Sequence, residues 1–150
     1  MDNLPRSGVD CSRIVVLNGE STGVAPITVA ESNGENSIIV ISGANMGLNK
    51  NHFDLDLFRK AKIVVCQNEI SHQTNKDALE LAKKMGLTTI YSAAPCPTVD
   101  EFNSIVNSID YLIANQIESQ QLTGLNSIEQ AASELSSLGI GNVIITLGFV

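Results

Sequence analysis

From residue 62 onward the chain alternates short β-branched runs with segments of helical period, and this alternation constrains the fold more than any other feature of the sequence. Residues 63–66, 87–91, 111–114 and 142–146 are apolar runs of strand length. Between the first two, residues 71–85 set Ala78, Leu81, Ala82 and Met85 at helical spacing before Gly86. Before the last, Ile128, Ala131, Ala132, Leu135 and Leu138 share one helical face, and Gly139 marks its end. Thr98 with Glu101, and Ser127 with Gln130, are capping-box patterns. Strand, helix, strand repeated three times with short loops predicts right-handed crossovers and a parallel sheet of buried strands.

Residues 14–41 obey a different rule. The β-branched runs 14–17, 24–29 and 37–41 have no helical segment between them, and Glu31, Ser32, Asn33 and Gly34 form a turn cluster. An antiparallel ribbon with its hairpin at Asn33 and Gly34 is expected. Such a ribbon ahead of a parallel sheet is either an edge extension or a flap over a site. Residues 1–12 read as a helix end or loop, and Phe53, Leu57 and Phe58 suggest a short helix. Gly43 and Gly47 do not match the spacing G-x-x-x-x-G-K-[ST], and Asn51 stands where the hydroxyl residue would come after Lys50, so no Walker loop is predicted.

Composition narrows the class of ligand. With 150 residues, 43% hydrophobic, 4% aromatic and no Trp, one domain is expected, its core built from Ile, Val, Leu and Ala. A net charge of -7 argues against nucleic acid or an anionic membrane as partner and leaves a small molecule. Cys11, Cys66 and Cys96 form no C-x-x-C pair, and His52 and His72 are isolated, so neither a disulfide framework nor metal ligation by these residues is expected. The N-terminus lacks a signal-peptide pattern and no run reaches the length of a membrane span, so a soluble, cytoplasmic protein is expected.

In a parallel sheet the C-terminal strand ends lie along one edge, where residues distant in sequence converge. The segments at those ends are Gln67-Asn68-Glu69, Ala93-Ala94-Pro95, Asn115-Gln116-Ile117-Glu118 and Thr146-Leu147-Gly148. These junctions hold no Ser/His/Asp or Cys/His set for covalent catalysis. They hold carboxylates, an amide, a hydroxyl and glycine-exposed backbone, groups able to hold a polyhydroxylated substrate, phosphates or a hydrated magnesium ion. Each has a plainer reading as well. Glu118 is favoured by the helix dipole, Asn115 can simply cap the helix, Glu69 can be a solvated helix-start carboxylate, and Thr146 an ordinary strand residue.

Taken together, Thr22-Gly-Val-Ala25, Gly34-Glu-Asn36, Ser42-Gly-Ala-Asn45, Gln67-Asn-Glu69, Ala94-Pro95, Asn115-Gln-Ile-Glu118, Leu122-Thr-Gly124 and Thr146-Leu-Gly148 resemble the ribokinase-like PfkB carbohydrate kinases, in order and approximate spacing over nearly the whole chain. The resemblance implies an α/β fold, a ribokinase-like parallel sheet flanked by helices with part of a β-sheet lid. It implies one incomplete domain over 1–150, with 14–41 as lid strands and 62–150 as the parallel core. The implied reaction is ATP-dependent phosphorylation of a sugar hydroxyl, most simply ribose to ribose 5-phosphate. Its cofactors would be ATP and Mg2+, with a monovalent cation as a further possibility in the intact enzyme.

By the same resemblance Asn115, Thr146 and Gly148 would border the nucleotide, and Glu118 would act on magnesium through water. Glu69 would stand near the sugar, with Ala25, Ile27 and Ile38 as the apolar lining of the lid, through whose strands a homodimer is conceivable. Two departures stand out. Ser92-Ala-Ala-Pro95 replaces the family's Asn-Pro-Ala-Pro, and Asn115-Gln116 replaces Asn-Glu. The Gly-Gly-Lys-Gly-Ala-Asn region is expected before Met1, and Gly-Ala-Gly-Asp with the catalytic Asp beyond Val150, so the chain alone is expected to be inactive. A non-catalytic module of the same fold and an unrelated nucleotide-binding α/β domain are the alternatives.

Overall fold

The structure is a computed structural model that describes residues 3–148, and it divides into two compact units, Met1–Leu48 and Asn49–Val150. In the first, a four-residue helix α1 (Asn3–Arg6) precedes a two-stranded antiparallel ribbon of β1 (Ile27–Val29) and β2 (Asn36–Ile38). The hairpin falls where Asn33 and Gly34 place it. Gly34 has φ +73°, its N–H donates to the Ala30 carbonyl at 2.8 Å, and Asn33 Oδ1 accepts from the Glu35 N–H at 3.1 Å. A bridge from Val24 to Ile41 extends the pairing.

The ribbon is shorter than the sequence predicts. Residues 14–17 form no strand, and the runs 24–29 and 37–41 shrink to three paired residues each plus that bridge. Within this unit Ile14, Val15 and Val16 are all exposed. β propensity reflects the fit of a side chain to a packed, pleated surface, and a two-stranded ribbon offers too little of one to hold a third run in register.

The second unit keeps the predicted alternation. After α2 (Leu55–Lys60) come β3 (Ile63–Gln67), α3 (His72–Lys84), β4 (Thr88–Ser92), α4 (Val99–Ile105), β5 (Tyr111–Asn115), α5 (Gln116–Thr123), α6 (Ile128–Ser137) and β6 (Asn142–Thr146). All pairs in the sheet are parallel, and the order β3-β4-β5-β6 is sequential. Right-handed crossovers in a sequential sheet put every intervening helix on the same face. Burial agrees. Cys66, Tyr91 and Leu112, neighbours in register, are buried with Leu79, Phe102, Ile105 and Leu135, whereas Val65 and Ile144 are 68% and 47% exposed. The strands read as buried runs are therefore covered on one face only among the described residues, because parallel pairing alone does not supply a second helical layer.

Caps fall largely where the sequence sets them. Thr98 and Glu101 form the reciprocal capping box at α4. At α6 the box is half made: Ser127 Oγ accepts the Gln130 N–H at 3.3 Å, but the Gln130 side chain does not return a bond to the Ser127 N–H, and the Ser127 hydroxyl donates to Glu129 Oε2 at 2.7 Å.

A polar knot holds the other end of the sheet. Asp110 accepts from Lys83 Nζ at 2.6 Å and from the Thr89 N–H and Oγ1 at 2.9 and 3.1 Å, while its own carbonyl accepts from the Asn142 N–H at 3.0 Å. α3, β4, β5 and β6 are thus pinned through one residue. Burial opposes the charge on Asp110, but the Lys83 ammonium and the Thr89 donors outweigh it and hold the carboxyl below its ordinary 3.8. Because the folded carboxyl holds its proton less tightly than the unfolded one, its contribution is complete above 3.8 and is lost as pH falls through the folded value. Asp110→Asn is expected to cost about 1–2 kcal/mol at pH 7, the worth of charged hydrogen bonds discounted for a lysine partly in water. In urea titrations across pH the gap between parent and variant should close in acid. A gap that does not narrow at all as pH falls below 3.8 would show that the charge is not what stabilises.

Candidate active site

Parallel pairing brings Gln67 beside Ser92, and Asn115 beside Thr146, at the C-terminal edge of the sheet. The tightest junction is at Asn115, which is both the last residue of β5 and the N-cap of α5. Its Oδ1 accepts the Glu118 N–H at 2.8 Å, and Glu118 Oε2 accepts the Asn115 N–H at 2.7 Å. The plainer readings of both residues therefore hold: Asn115 caps, and Glu118 sits in the first turn facing the helix dipole. Capping uses only half of each side chain. Among the described residues, Asn115 Nδ2 and Glu118 Oε1 have no hydrogen bond; Asn115 is exposed and Glu118 half-buried.

The second junction is the turn after β3. Asn75, fully buried on α3, donates from Nδ2 to the Gln67 carbonyl at 2.8 Å, and Gln67 Oε1 accepts the Glu69 N–H. Next to them, the Asn68 N–H donates to the Ala94 carbonyl and Asn68 Nδ2 to the Pro95 carbonyl, both at 3.0 Å. The Glu69 side chain is left exposed beside this lattice. The 93–97 loop, with its cis Ala94–Pro95 bond, then reaches α5: Cys96 Sγ lies 3.8 Å from the Glu118 carbonyl and 3.5 Å from that of Pro97. Three junctions distant in sequence are joined in this way, although Glu69 and Glu118 share no direct hydrogen bond.

Neither thiol of this unit is activated by its surroundings. Burial pushes Cys66 up to about 11, and burial together with the Glu118 charge raises Cys96. At the fourth junction Thr146 ends β6 exposed, and Gly148 turns the chain with φ +68°, a conformation few side chains tolerate. In the first unit Ile27 and Ile38 are direct cross-strand partners, 59% and 51% exposed, and Ala25 lies two residues before Ile27 and is exposed. A cleft of about 400 Å³ lined by Lys50, Phe53, Asp77, Leu81 and Lys84 lies along the rear half of α3, away from the strand ends that carry the polar junctions.

Sequence reasoning does not single out Asn68 or Asn75 as site-building residues. Asn75 carries a readable signal, because it falls among the buried positions Thr74, Ala78 and Leu79 of one helical face, where an amide needs a partner. Asn68 stands within the Gln67-Asn68-Glu69 junction, but nothing in the sequence names its acceptors, which are 26 and 27 residues away.

Comparison with known proteins agrees with this topology. The family model described as pfkB family carbohydrate kinase matches residues 1–149. A deoxyribokinase from Salmonella typhi is 32% identical over 154 residues, covering 97% of this chain and 49% of that protein. Among solved structures, a ribokinase from Giardia lamblia superimposes with TM-score 0.83 at 29% identity, covering 98% of this chain and 48% of that one. Arabidopsis thaliana ribokinase complexed with ribose and ATP gives 0.76 at 32% identity, covering 94% and 47%. The chain spans about half the length of curated relatives such as this deoxyribokinase. Among the described residues no helix is long and apolar enough to cross a membrane.

Proposed function

The chain belongs to the pfkB family of carbohydrate kinases, and from that premise we propose that it contributes to ATP-dependent phosphorylation of a sugar hydroxyl, with ribose as the sugar. The observation that carries this reading is the convergence of Asn115, Glu118, Thr146 and the Glu69 turn on one sheet edge, with side-chain groups that the local structure does not use. A structural relative complexed with ribose and ATP supports the choice of ligands. The deoxyribokinase match at similar identity makes 2-deoxyribose the second sugar to test.

In this reading Asn115 Nδ2 donates to a phosphate, and Thr146 and Gly148 border the nucleotide. A free carboxylate oxygen on Glu118 suits an outer contact to magnesium: it is a hard donor, and among the described residues no group of three or more His, Cys, Asp or Glu side chains gathers to form a direct cage. Magnesium, when bound, neutralises the charge that develops on the transferring phosphoryl group. Glu69 is the sugar-side carboxylate. Residues 14–41, with Ala25, Ile27 and Ile38 as an apolar lining, act as a lid that excludes water as a competing acceptor and offers strands for a homodimer. Residues 62–150 form the core of the same kinase domain. None of these residues is proposed as the catalytic base.

The test uses the full-length gene product with magnesium and ATP. ADP release that depends on ribose, with ribose 5-phosphate as product, is expected, and a smaller rate with 2-deoxyribose. ATP turnover that no pentose or hexose stimulates would overturn the reading.

A further inference from the structure

The Glu69 turn is held more firmly than its exposure requires. Its first anchor is local: Asn75 fixes the Gln67 carbonyl, and Gln67 in turn takes the Glu69 N–H. The second is remote and comes wholly from Asn68, whose N–H and Nδ2 bond two successive carbonyls, Ala94 and Pro95, of the loop after the neighbouring strand. The backbone bond survives any substitution that keeps the N–H. The side-chain bond does not: it needs a donor that reaches Pro95 while the N–H reaches Ala94, as the Asn68 amide does.

Exposed turns do not need such a tie for stability, because water can satisfy the Pro95 carbonyl at little cost. What water cannot do is fix the distance between two loops. We infer that Asn68 is a positioning residue: its Nδ2 bond to Pro95 ties the turn carrying Glu69 to the 94–97 loop and so holds the Glu69 carboxylate in place toward the sugar. This rests on the role proposed for Glu69. Glu118 is held by its own capping box, so the tie acts on the sugar side and not on the nucleotide side.

The variant Asn68→Leu keeps the size and removes both amide donors; Asn68→Ala serves in its place if the first does not fold. In the full-length gene product, kcat/KM for ribose should fall about 10-fold, the equivalent of one hydrogen bond lost from the transition state, while KM for ATP stays within about two-fold. Amide exchange at Asn68 and Glu69 should quicken. Placed in a Glu69→Gln background, Asn68→Leu should cause no further loss, because there is no carboxylate left to position. An unchanged exchange rate, or a second loss of about 10-fold in that background, overturns the inference. If instead Glu69→Gln alone leaves ribose kinetics unchanged, the sugar-side role of Glu69 falls and the catalytic half of this inference with it, whereas the exchange arm still reports whether Asn68 ties the two loops.

Discussion

Glu118→Gln in the full-length gene product is expected to lower turnover by about 10- to 100-fold, the range found when an outer-shell partner of a metal is changed, and to raise the magnesium concentration needed for half-maximal rate. Stability should hardly move. Gln at the third helical position can accept the Asn115 N–H as Glu does, so the capping box at α5 survives. Glu118→Ala removes the charge and the bond back to the Asn115 N–H together, leaving Asn115 as the cap, and should add about 0.5–1 kcal/mol of destabilisation to the same catalytic loss. The pair of variants separates the two duties of one side chain, since one carboxylate oxygen is engaged in the cap and the other is free. Steady-state rates against magnesium concentration, with urea melts alongside, decide the matter. If Glu118→Gln turns over like the parent, Glu118 is a helix cap and nothing more.

Leu112→Ala should be the most destabilising single change among those considered, by about 2–5 kcal/mol. Leu112 is fully buried on β5, one of the two inner strands, in register with Tyr91 on one side and Val143 on the other. Both neighbouring strands are fixed by backbone pairing, so the site has little freedom to collapse around the missing methyl groups, and the upper half of the range is expected. Ile144→Thr is the control. Ile144 lies one strand away and is 47% exposed, so its replacement should cost less than about 1 kcal/mol. The comparison is made by the urea midpoint with the slope unchanged. Equal costs at the two positions would mean that the core does not lie on the helix-covered face.

Much of the parallel unit is legible because its signals are local. Helical period, Gly86 and Gly139 as stops, and the Thr98 and Asn115 caps all act within a few residues, and each element forms where these place it. The first unit is less legible for the same reason. Three β-branched runs suggest three strands, but whether a run pairs depends on a partner surface that sequence does not display, and residues 14–17 form no strand.

The candidate site divides along the same line. That Asn115 and Glu118 stand at a strand-to-helix junction is fixed by their spacing of three and by the apolar run before them, because a capping box is a property of four consecutive residues. That the Glu69 turn and the 94–97 loop are joined, and that the loop touches α5, was decided only by tertiary structure. Those bonds connect residues 22 to 27 positions apart, and nothing in the identity of an Asn tells which distant carbonyl it will meet until parallel pairing has brought the strand ends into one row.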